Sequence, residues 1–285
     1  MEFVKFQPLP GSSAQVEGYL HLPSGDAQNR REAFPAVVVC PGGGYESISA
    51  HEADPVALDF LAHGCQAFVL TYSIGEEAKD FRPLKELSET VRRIRENAAQ
   101  WRVDPEKIAV CGFSAGGHLA ASLGTLWNDP EFLKHYDSHG GQNRPNAMIL
   151  GYPVITADES AHEGSLRHVS GCQPGEPGYE YFSLEACDKG HLPRLFVAHH
   201  GRRLRPRGKQ LCHGRRPAPG GHPLRGSLLP HWHSRALRLH PGDRHAPSPQ
   251  RPVDGPVPAL AGVHLRLHPV KGLFRWNTAP GPKSS

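Results

Sequence analysis

Residues 108–121 read Ile-Ala-Val-Cys-Gly-Phe-Ser-Ala-Gly-Gly-His-Leu-Ala-Ala, an apolar run followed by a cluster of small residues. The run at 108–112 is short and apolar, which is typical of a strand that is buried on both faces. Small and apolar residues continue to Leu126 and predict a buried helix from Gly116 onward. Between the strand and the helix, the pattern G-x-S-x-G predicts that Ser114 occupies a tight turn.

This pattern makes Ser114 the candidate nucleophile. A serine hydroxyl is a poor nucleophile unless it is presented to a base and the resulting oxyanion is stabilised by donors. Gly112 and Gly116 would tolerate the tight turn, and the helix N-terminus would direct backbone N–H groups at the developing charge. The alternative is an incidental serine in a glycine-rich turn, because the bare pattern also arises by chance. The strand before it and the helix after it favour the nucleophile.

A second glycine-rich segment, Cys40-Pro41-Gly42-Gly43-Gly44-Tyr45, follows the apolar run at 34–40. Three glycines allow the backbone to approach a bound acyl oxygen and to direct an N–H group at it. A flexible linker and a nucleotide-binding loop are the weaker alternatives, and phosphate binding does not fit, because there is no G-x-G-x-x-G pattern and no Lys-Ser/Thr pair after the glycines. The segment is therefore predicted to form an oxyanion loop.

The first two hundred residues alternate strand-like and helix-like patterns. Strands are predicted at 16–22, 34–40, 66–72, 108–112, 147–152 and 195–199, and helices at 55–64, 84–101 and 116–126. The strand at 16–22 alternates apolar and polar side chains, as a half-buried antiparallel strand does. This alternation of strands and helices predicts an α/β fold, with a mostly parallel sheet covered by helices on both faces.

Composition excludes several classes of protein. No apolar run reaches about 18 residues, so no membrane span is expected, and the start MEFVKFQPLPG lacks the order of a secretory signal. The six cysteines form no C-x-x-C pair, which predicts reduced thiols and a cytoplasmic protein. No cofactor and no metal ion is expected, and the partner would be a small-molecule ester.

Several motifs in one order resemble those of a known family. These are the segments PGGGY, HEADPVA from His51, GFSAGGHLAA from Gly112, GYPVI from Gly151 and HEGS from His162. Together they resemble the α/β-hydrolase esterase/lipase family, and within it the acetyl-xylan-esterase and feruloyl-esterase-like (BD-FAE-like) group. The resemblance covers about residues 15–200. It implies an α/β-hydrolase fold with an eight-stranded sheet, a Ser–Asp–His triad and small acyl esters of sugars as substrates.

The resemblance also assigns roles to residues of this chain. It implies that Ser114 is the nucleophile and that Gly43, Gly44 and Ala115 donate the oxyanion hydrogen bonds. The triad acid and base remain unknown, because the family's later motifs are not found after residue 200. His118 is expected to pack or cap locally. Glu52 and Glu163 are expected to be structural or pocket-rim carboxylates, and His199 and His200 are not expected to be catalytic.

Composition changes sharply after residue 200. Residues 1–200 hold 16 basic and 26 acidic residues, a net charge of −10, whereas residues 201–285 hold 16 basic and 2 acidic residues, a net charge of +14. The second segment also holds 14 of the 28 prolines. This break predicts an incomplete α/β-hydrolase core at 1–200 and a poorly structured Arg/Pro/His-rich tail at 201–285.

A shifted reading frame accounts for this tail. Reading the permitted codons one base later allows Ala-Asp-Asp at residues 201–203, Val-Pro-Val-Glu at 205–208 and Thr-His-Gly-Leu at 233–236. These resemble the family's missing acid and histidine segments, and they come in the expected order. A frameshift near residues 199–201 is therefore the favoured interpretation.

Other interpretations of the tail remain weaker. Its charge would suit a nucleic-acid-binding arm, but prolines interrupt every basic cluster and aromatic residues are scarce. Its histidines are irregularly spaced for a metal site. Asp243 with His264 or His268 has the chain order of a surrogate triad, but no fold signal brings them to Ser114. The hypotheses are a serine carboxylesterase for small acyl esters whose activity is crippled because the triad Asp and His are missing, a non-catalytic remnant, and, third, a basic-tail binding protein.

Overall fold

The computed structural model describes residues 1–23, 32–157, 161–185 and, as backbone, the strand at 194–198. Its strands are β1 (Glu2–Phe6), β2 (Gln15–Leu20), β3 (Phe34–Cys40), β4 (Gln66–Thr71), β5 (Val103–Phe113), β6 (Ala147–Gly151) and β7 (Arg194–Ala198). Its α-helices are α1 (Asp54–Ala62), α2 (Arg82–Glu96), α3 (Ala98–Trp101), α4 (Ser114–Leu126), α5 (Glu163–Ser170) and α6 (Pro177–Tyr181). Short 3-10 turns lie at Ala50–Glu52, Gly75–Ala78, Phe132–Lys134 and His139–Gly141.

The described strands form one sheet in the order β1-β2-β4-β3-β5-β6-β7. The β1–β2 and β2–β4 pairs are antiparallel, and the pairs from β4 to β7 are all parallel. The chain runs from β3 to β4 on one side and then crosses to β5 on the other side. Such a reversal leaves a crevice at the carboxyl ends of β3 and β5, where open α/β sheets bind ligands.

Both faces of the sheet are covered. Ala36, Val38 and Cys40 point into the main apolar cluster with residues of α2 and α4. The alternate residues Val37 and Val39 are also fully buried, and α1 contacts β3 and β4. Because side chains alternate along a strand, burial of both sets requires helices on both faces. The predicted α/β fold, with its mostly parallel sheet, is confirmed.

Several boundaries differ from those predicted. The helix predicted at 84–101 is divided into α2 and α3 at Asn97, whose side chain donates to the carbonyl oxygen of Arg93. Strand β1 was not predicted, because its residues are mostly exposed. The described residues contain seven strands and not the expected eight, and the tail at 201–285 lies outside the described residues. No described helix combines the length and apolar character that crossing a bilayer requires.

Candidate active site

Ser114 lies at the crevice, where β5 ends and α4 begins. Phe113 is extended, with φ −123° and ψ 137°, whereas Ser114 has φ +51°. Positive φ is uncommon for residues other than glycine and persists only where the surroundings impose it. The carbonyl oxygen of Ser114 accepts a hydrogen bond from the N–H of Val154 at 3.1 Å. The tight strand-to-helix turn predicted at Ser114 is therefore present.

The glycines on either side of this turn allow the backbone to pack closely. A Cβ atom on Gly112 would lie 2.0 Å from the carbonyl oxygen of Gly116. A Cβ atom on Gly116 would lie 2.1 Å from the carbonyl oxygen of Cys40, at the end of β3. Both distances are far below van der Waals contact, so neither position accommodates a side chain without moving α4 or β3.

The glycine loop that follows β3 lies directly against the serine. A Cβ atom on Gly42 would come within 3.2 Å of the Ser114 Cβ atom. Gly43 has φ +133°, and Gly44 has φ +72°. The carbonyl oxygen of Gly43 accepts from the N–H of Ser47 at 2.9 Å. These contacts place the two predicted glycine-rich segments together at the carboxyl end of the sheet.

The three predicted oxyanion donors flank this junction. Gly43 and Gly44 lie in the loop, and Ala115 is the second residue of α4. No hydrogen bond between described residues uses the N–H of any of the three. A helix N-terminus has free N–H groups and favours negative charge. The assignment of these donors remains a prediction.

Helix α5 contributes His168, which the sequence did not indicate. The Nδ1 atom of His168 lies 3.0 Å from the carbonyl oxygen of Gly44, and because a carbonyl only accepts, this nitrogen is the donor. His162 caps α5, where its Nδ1 lies 2.9 Å from the Ser165 hydroxyl. The HEGS segment served only as one motif of the family resemblance. No spacing rule links residue 168 to residue 44.

The carboxylates named from the sequence occupy different settings. Glu52 is half-buried beside the loop, and its Oε2 atom accepts from the N–H of Gly42 at 2.8 Å. Its Oε1 atom accepts from the hydroxyl of Tyr152. Glu163 is exposed at the first turn of α5. Glu52 is therefore the carboxylate that contacts the loop.

His118 is fully buried and is bonded on both ring nitrogens. Its Nδ1 atom lies 2.8 Å from the Tyr45 hydroxyl, and its Nε2 atom lies 3.0 Å from the carbonyl oxygen of Phe182. Burial lowers the pKa of His118 to about 4, partly opposed by the hydrogen bond to Phe182. As expected, His118 packs locally and is not available as a base for Ser114.

No base for Ser114 is found among residues 1–23, 32–157 and 161–185. In these ranges no histidine side chain forms a hydrogen bond with Ser114, and no cluster of three potential metal ligands occurs. Asp243, His264 and His268, the members of the surrogate triad, lie outside the described residues, as do His199 and His200. The roles of the triad acid and base therefore stay unassigned.

Comparison with known proteins gives one family match. The BD-FAE family profile matches residues 22–156. An endo-1,4-β-xylanase B of Butyrivibrio fibrisolvens is 37% identical over 169 residues, or 56% of this chain and 26% of that protein. An acetylxylan esterase of Xylanibacter ruminicola is 30% identical over 181 residues, or 60% of this chain and 34% of that protein. The chain thus spans only about a quarter to a third of these curated relatives.

Two solved structures are similar over more of their length. An acetyl ester-xyloside bifunctional hydrolase from Caldicellulosiruptor lactoaceticus is 31% identical, with a TM-score of 0.54, over 67% of this chain and 68% of that one. An α/β hydrolase from a Medee basin deep-sea metagenome is 32% identical, with a TM-score of 0.53, over 69% of this chain and 67% of that one. The strand-to-helix turn at Ser114 and the glycine loop both lie within residues 22–156, the range that the BD-FAE family profile matches.

Proposed function

Because the chain belongs to the α/β-hydrolase esterases of the BD-FAE type, we propose that it is a serine carboxylesterase for small acyl esters. Acetyl esters of sugars are the proposed substrates, since two of its relatives are an acetylxylan esterase and an acetyl ester-xyloside hydrolase. The observation that carries the proposal is the contact between the turn at Ser114 and the glycine loop. Ser114 follows β5 with φ +51°, and Gly42 of the glycine loop lies against it.

In the proposed reaction, the Ser114 Oγ atom attacks the acyl carbon while a base removes its proton. The N–H groups of Gly43, Gly44 and Ala115 bind the oxyanion that forms. When the intermediate collapses, the alcohol leaves with a proton and the acyl group stays on Ser114. Water then attacks the acyl-serine, releases the acid and regenerates the serine hydroxyl.

The test compares two serines of α4 in the full chain. Ser114→Ala should abolish hydrolysis of p-nitrophenyl acetate and labelling by paraoxon, which phosphorylates an activated serine. Ser122→Ala is the matched control, because the Ser122 hydroxyl is buried and has no hydrogen-bond partner among the described residues. It should retain both properties. If Ser114→Ala retains both hydrolysis and labelling, the proposed function is wrong.

A second candidate is a non-catalytic remnant, and the composition of residues 201–285 favours it. A chain that lacks the triad acid and base keeps only oxyanion and binding contributions, and it loses a factor on the order of 10⁶ in rate. The nucleotide sequence across codons 195–205 tests this idea. A one-base insertion or deletion relative to homologous genes, and a gain of activity when it is corrected, would favour the remnant. An intact frame would exclude the frameshift.

A further inference from the structure

We propose that Glu52 is a positioning residue that braces the oxyanion loop across the nucleophile, a role that rests on the proposed function. Its two carboxylate oxygens bind two different segments of the chain. The Oε2 atom accepts from the N–H of Gly42 at 2.8 Å, and the Oε1 atom accepts from the Tyr152 hydroxyl. Gly42 follows β3, and Tyr152 follows β6.

The strand order shows which parts of the site this bridge connects. Strands β3 and β6 are the two neighbours of β5 in the sheet, and Ser114 follows β5 directly. A side chain that joins the segment after β3 to the segment after β6 therefore spans the end of the nucleophile's own strand. Each of the two segments also contacts the turn itself. Gly42 packs on Ser114, and the N–H of Val154 donates to the Ser114 carbonyl oxygen.

Both ends of the brace have constrained backbones. The carbonyl oxygen of Gly42 accepts from the N–H of Ser49 at 2.9 Å, so both polar backbone groups of Gly42 are held. Tyr152 has φ +35°, which a large side chain adopts only where its contacts require it. Its ring lies 5.9 Å from that of Phe113. The brace thus links parts of the site that have little freedom of their own.

The proposed role of Glu52 depends on its two hydrogen bonds and not on its negative charge. A carboxylate close to a developing oxyanion opposes the formation of that oxyanion, since like charges repel. The carboxylate is tolerated because both of its oxygens accept hydrogen bonds. A glutamine would keep an acceptor for Gly42 and could donate to the oxygen of Tyr152, so it would preserve the bridge without the charge.

The test uses Glu52→Ala, Glu52→Gln and Tyr152→Phe in the full chain, with Glu46→Ala as a matched control. Glu46 is an exposed glutamate of the same loop. In Glu52→Ala, kcat for p-nitrophenyl acetate should fall about 10- to 100-fold, less than the loss of a whole oxyanion donor. KM should change less than about threefold, because the brace affects oxyanion stabilisation more than substrate binding. Glu52→Gln and Glu46→Ala should stay near the parent, and Tyr152→Phe should lie between.

Hydrogen exchange provides a readout that does not depend on turnover. Peptides covering residues 42–49 should exchange at least about tenfold faster in Glu52→Ala, the factor expected when a hydrogen bond to a charged acceptor is lost. They should be unchanged in Glu52→Gln and Glu46→Ala, and peptides from α2 should be unchanged throughout. Equal exchange in Glu52→Ala and the parent would overturn the brace, as would a glutamine variant that behaves like the alanine variant. If activity does not depend on Ser114, the proposed function fails, but the exchange result still decides the role of Glu52.

Discussion

The hydroxyl of Tyr45 lies 2.8 Å from the Nδ1 atom of His118, and their rings meet edge to face at 5.8 Å. Tyr45 directly follows Gly44 in the glycine loop, and His118 lies one helical turn after Ser114. The Nε2 atom of His118 must carry the proton, because it contacts the carbonyl oxygen of Phe182, so Nδ1 accepts from Tyr45. This pair therefore ties the loop to α4 through a neutral, fully buried imidazole.

Neutrality of His118 predicts a loss of stability in acid. Its pKa is about 4 in the folded chain and about 6.5 when unfolded. Between these values the unfolded chain binds a proton that the folded chain does not, so stability falls as the pH drops from about 6.5 to about 4. Between pH 7 and pH 4.5 the parent should lose about 2 kcal/mol more than His118→Gln.

Urea unfolding of both proteins at the two pH values measures this difference. Carboxylates titrate in the same range, but their effect is common to the parent and the variant and cancels in the comparison. An equal pH dependence in the two proteins would show that His118 is not held neutral by burial.

Glu86 is a buried carboxylate without a motif that marks it in the sequence. It is fully buried on α2 and accepts from the N–H of Ser73 at 2.8 Å, from the Ser73 hydroxyl at 2.5 Å and from the Ser12 hydroxyl. Burial raises its pKa, although these hydrogen bonds partly oppose the rise. Between the unfolded and the folded pKa of Glu86, the folded chain holds a proton that the unfolded chain has released, and the stability that this proton contributes is lost as the pH rises through the folded pKa.

Glu86→Ala should destabilise the protein at pH 7 by about 3 kcal/mol, because it leaves buried donors of Ser12 and Ser73 without their acceptor. Urea unfolding measures the change. The surface variant Glu46→Ala makes the same substitution at an exposed position and should stay within about 0.5 kcal/mol of the parent. Similar stabilities for the two variants would contradict this account of Glu86.

Gly43 offers a test of the oxyanion loop by activity. Its φ of +133° is one that residues with a side chain rarely adopt, and a Cβ atom there would lie 2.0 Å from the carbonyl oxygen of Ser47. Gly43→Ala should therefore displace the loop and lower kcat/KM for p-nitrophenyl acetate by at least about 100-fold. Gly11 also has positive φ, +71°, but open space around it, so Gly11→Ala should keep kcat/KM within about twofold while costing about 1 kcal/mol of stability. Equal activity of the two variants would argue against a role for Gly43.

Local patterns predicted the centre of the fold well. Strand β3 has the predicted bounds, and the turn at Ser114 follows from the apolar run at 108–112 and the small residues after it. The division of the long helix at Asn97 was not predictable, because the apolar spacing of Val91, Ile94 and Ala98 continues across it. Strand β1 was missed because apolar and polar residues do not alternate in Glu2–Phe6. Phe3 is apolar although it is 53% exposed, so the sequence shows no half-buried pattern.

The contacts that shape the site arise between distant parts of the chain. Glu52 and Tyr152 are 100 positions apart, and His168 and Gly44 are 124 positions apart. The sequence identified Glu52 as a structural or pocket-rim carboxylate, but its partners depend on which strands flank β5. That order is set by packing of the whole sheet and cannot be deduced from local spacing.

Gly116 tests whether close contact between α4 and β3 holds the turn at Ser114. A Cβ atom there would lie 2.1 Å from the carbonyl oxygen of Cys40 and 2.3 Å from that of Pro41. Both are backbone atoms, so relief requires that α4 and β3 separate, and Gly116→Ala should cost about 3 kcal/mol or more. Gly164 in α5 has only the His162 ring within 4 Å, at 3.8 Å, so Gly164→Ala should be neutral or stabilise by up to about 1 kcal/mol. Urea unfolding separates the two outcomes, and a tolerated Gly116→Ala would mean that α4 lies farther from β3 than these distances indicate.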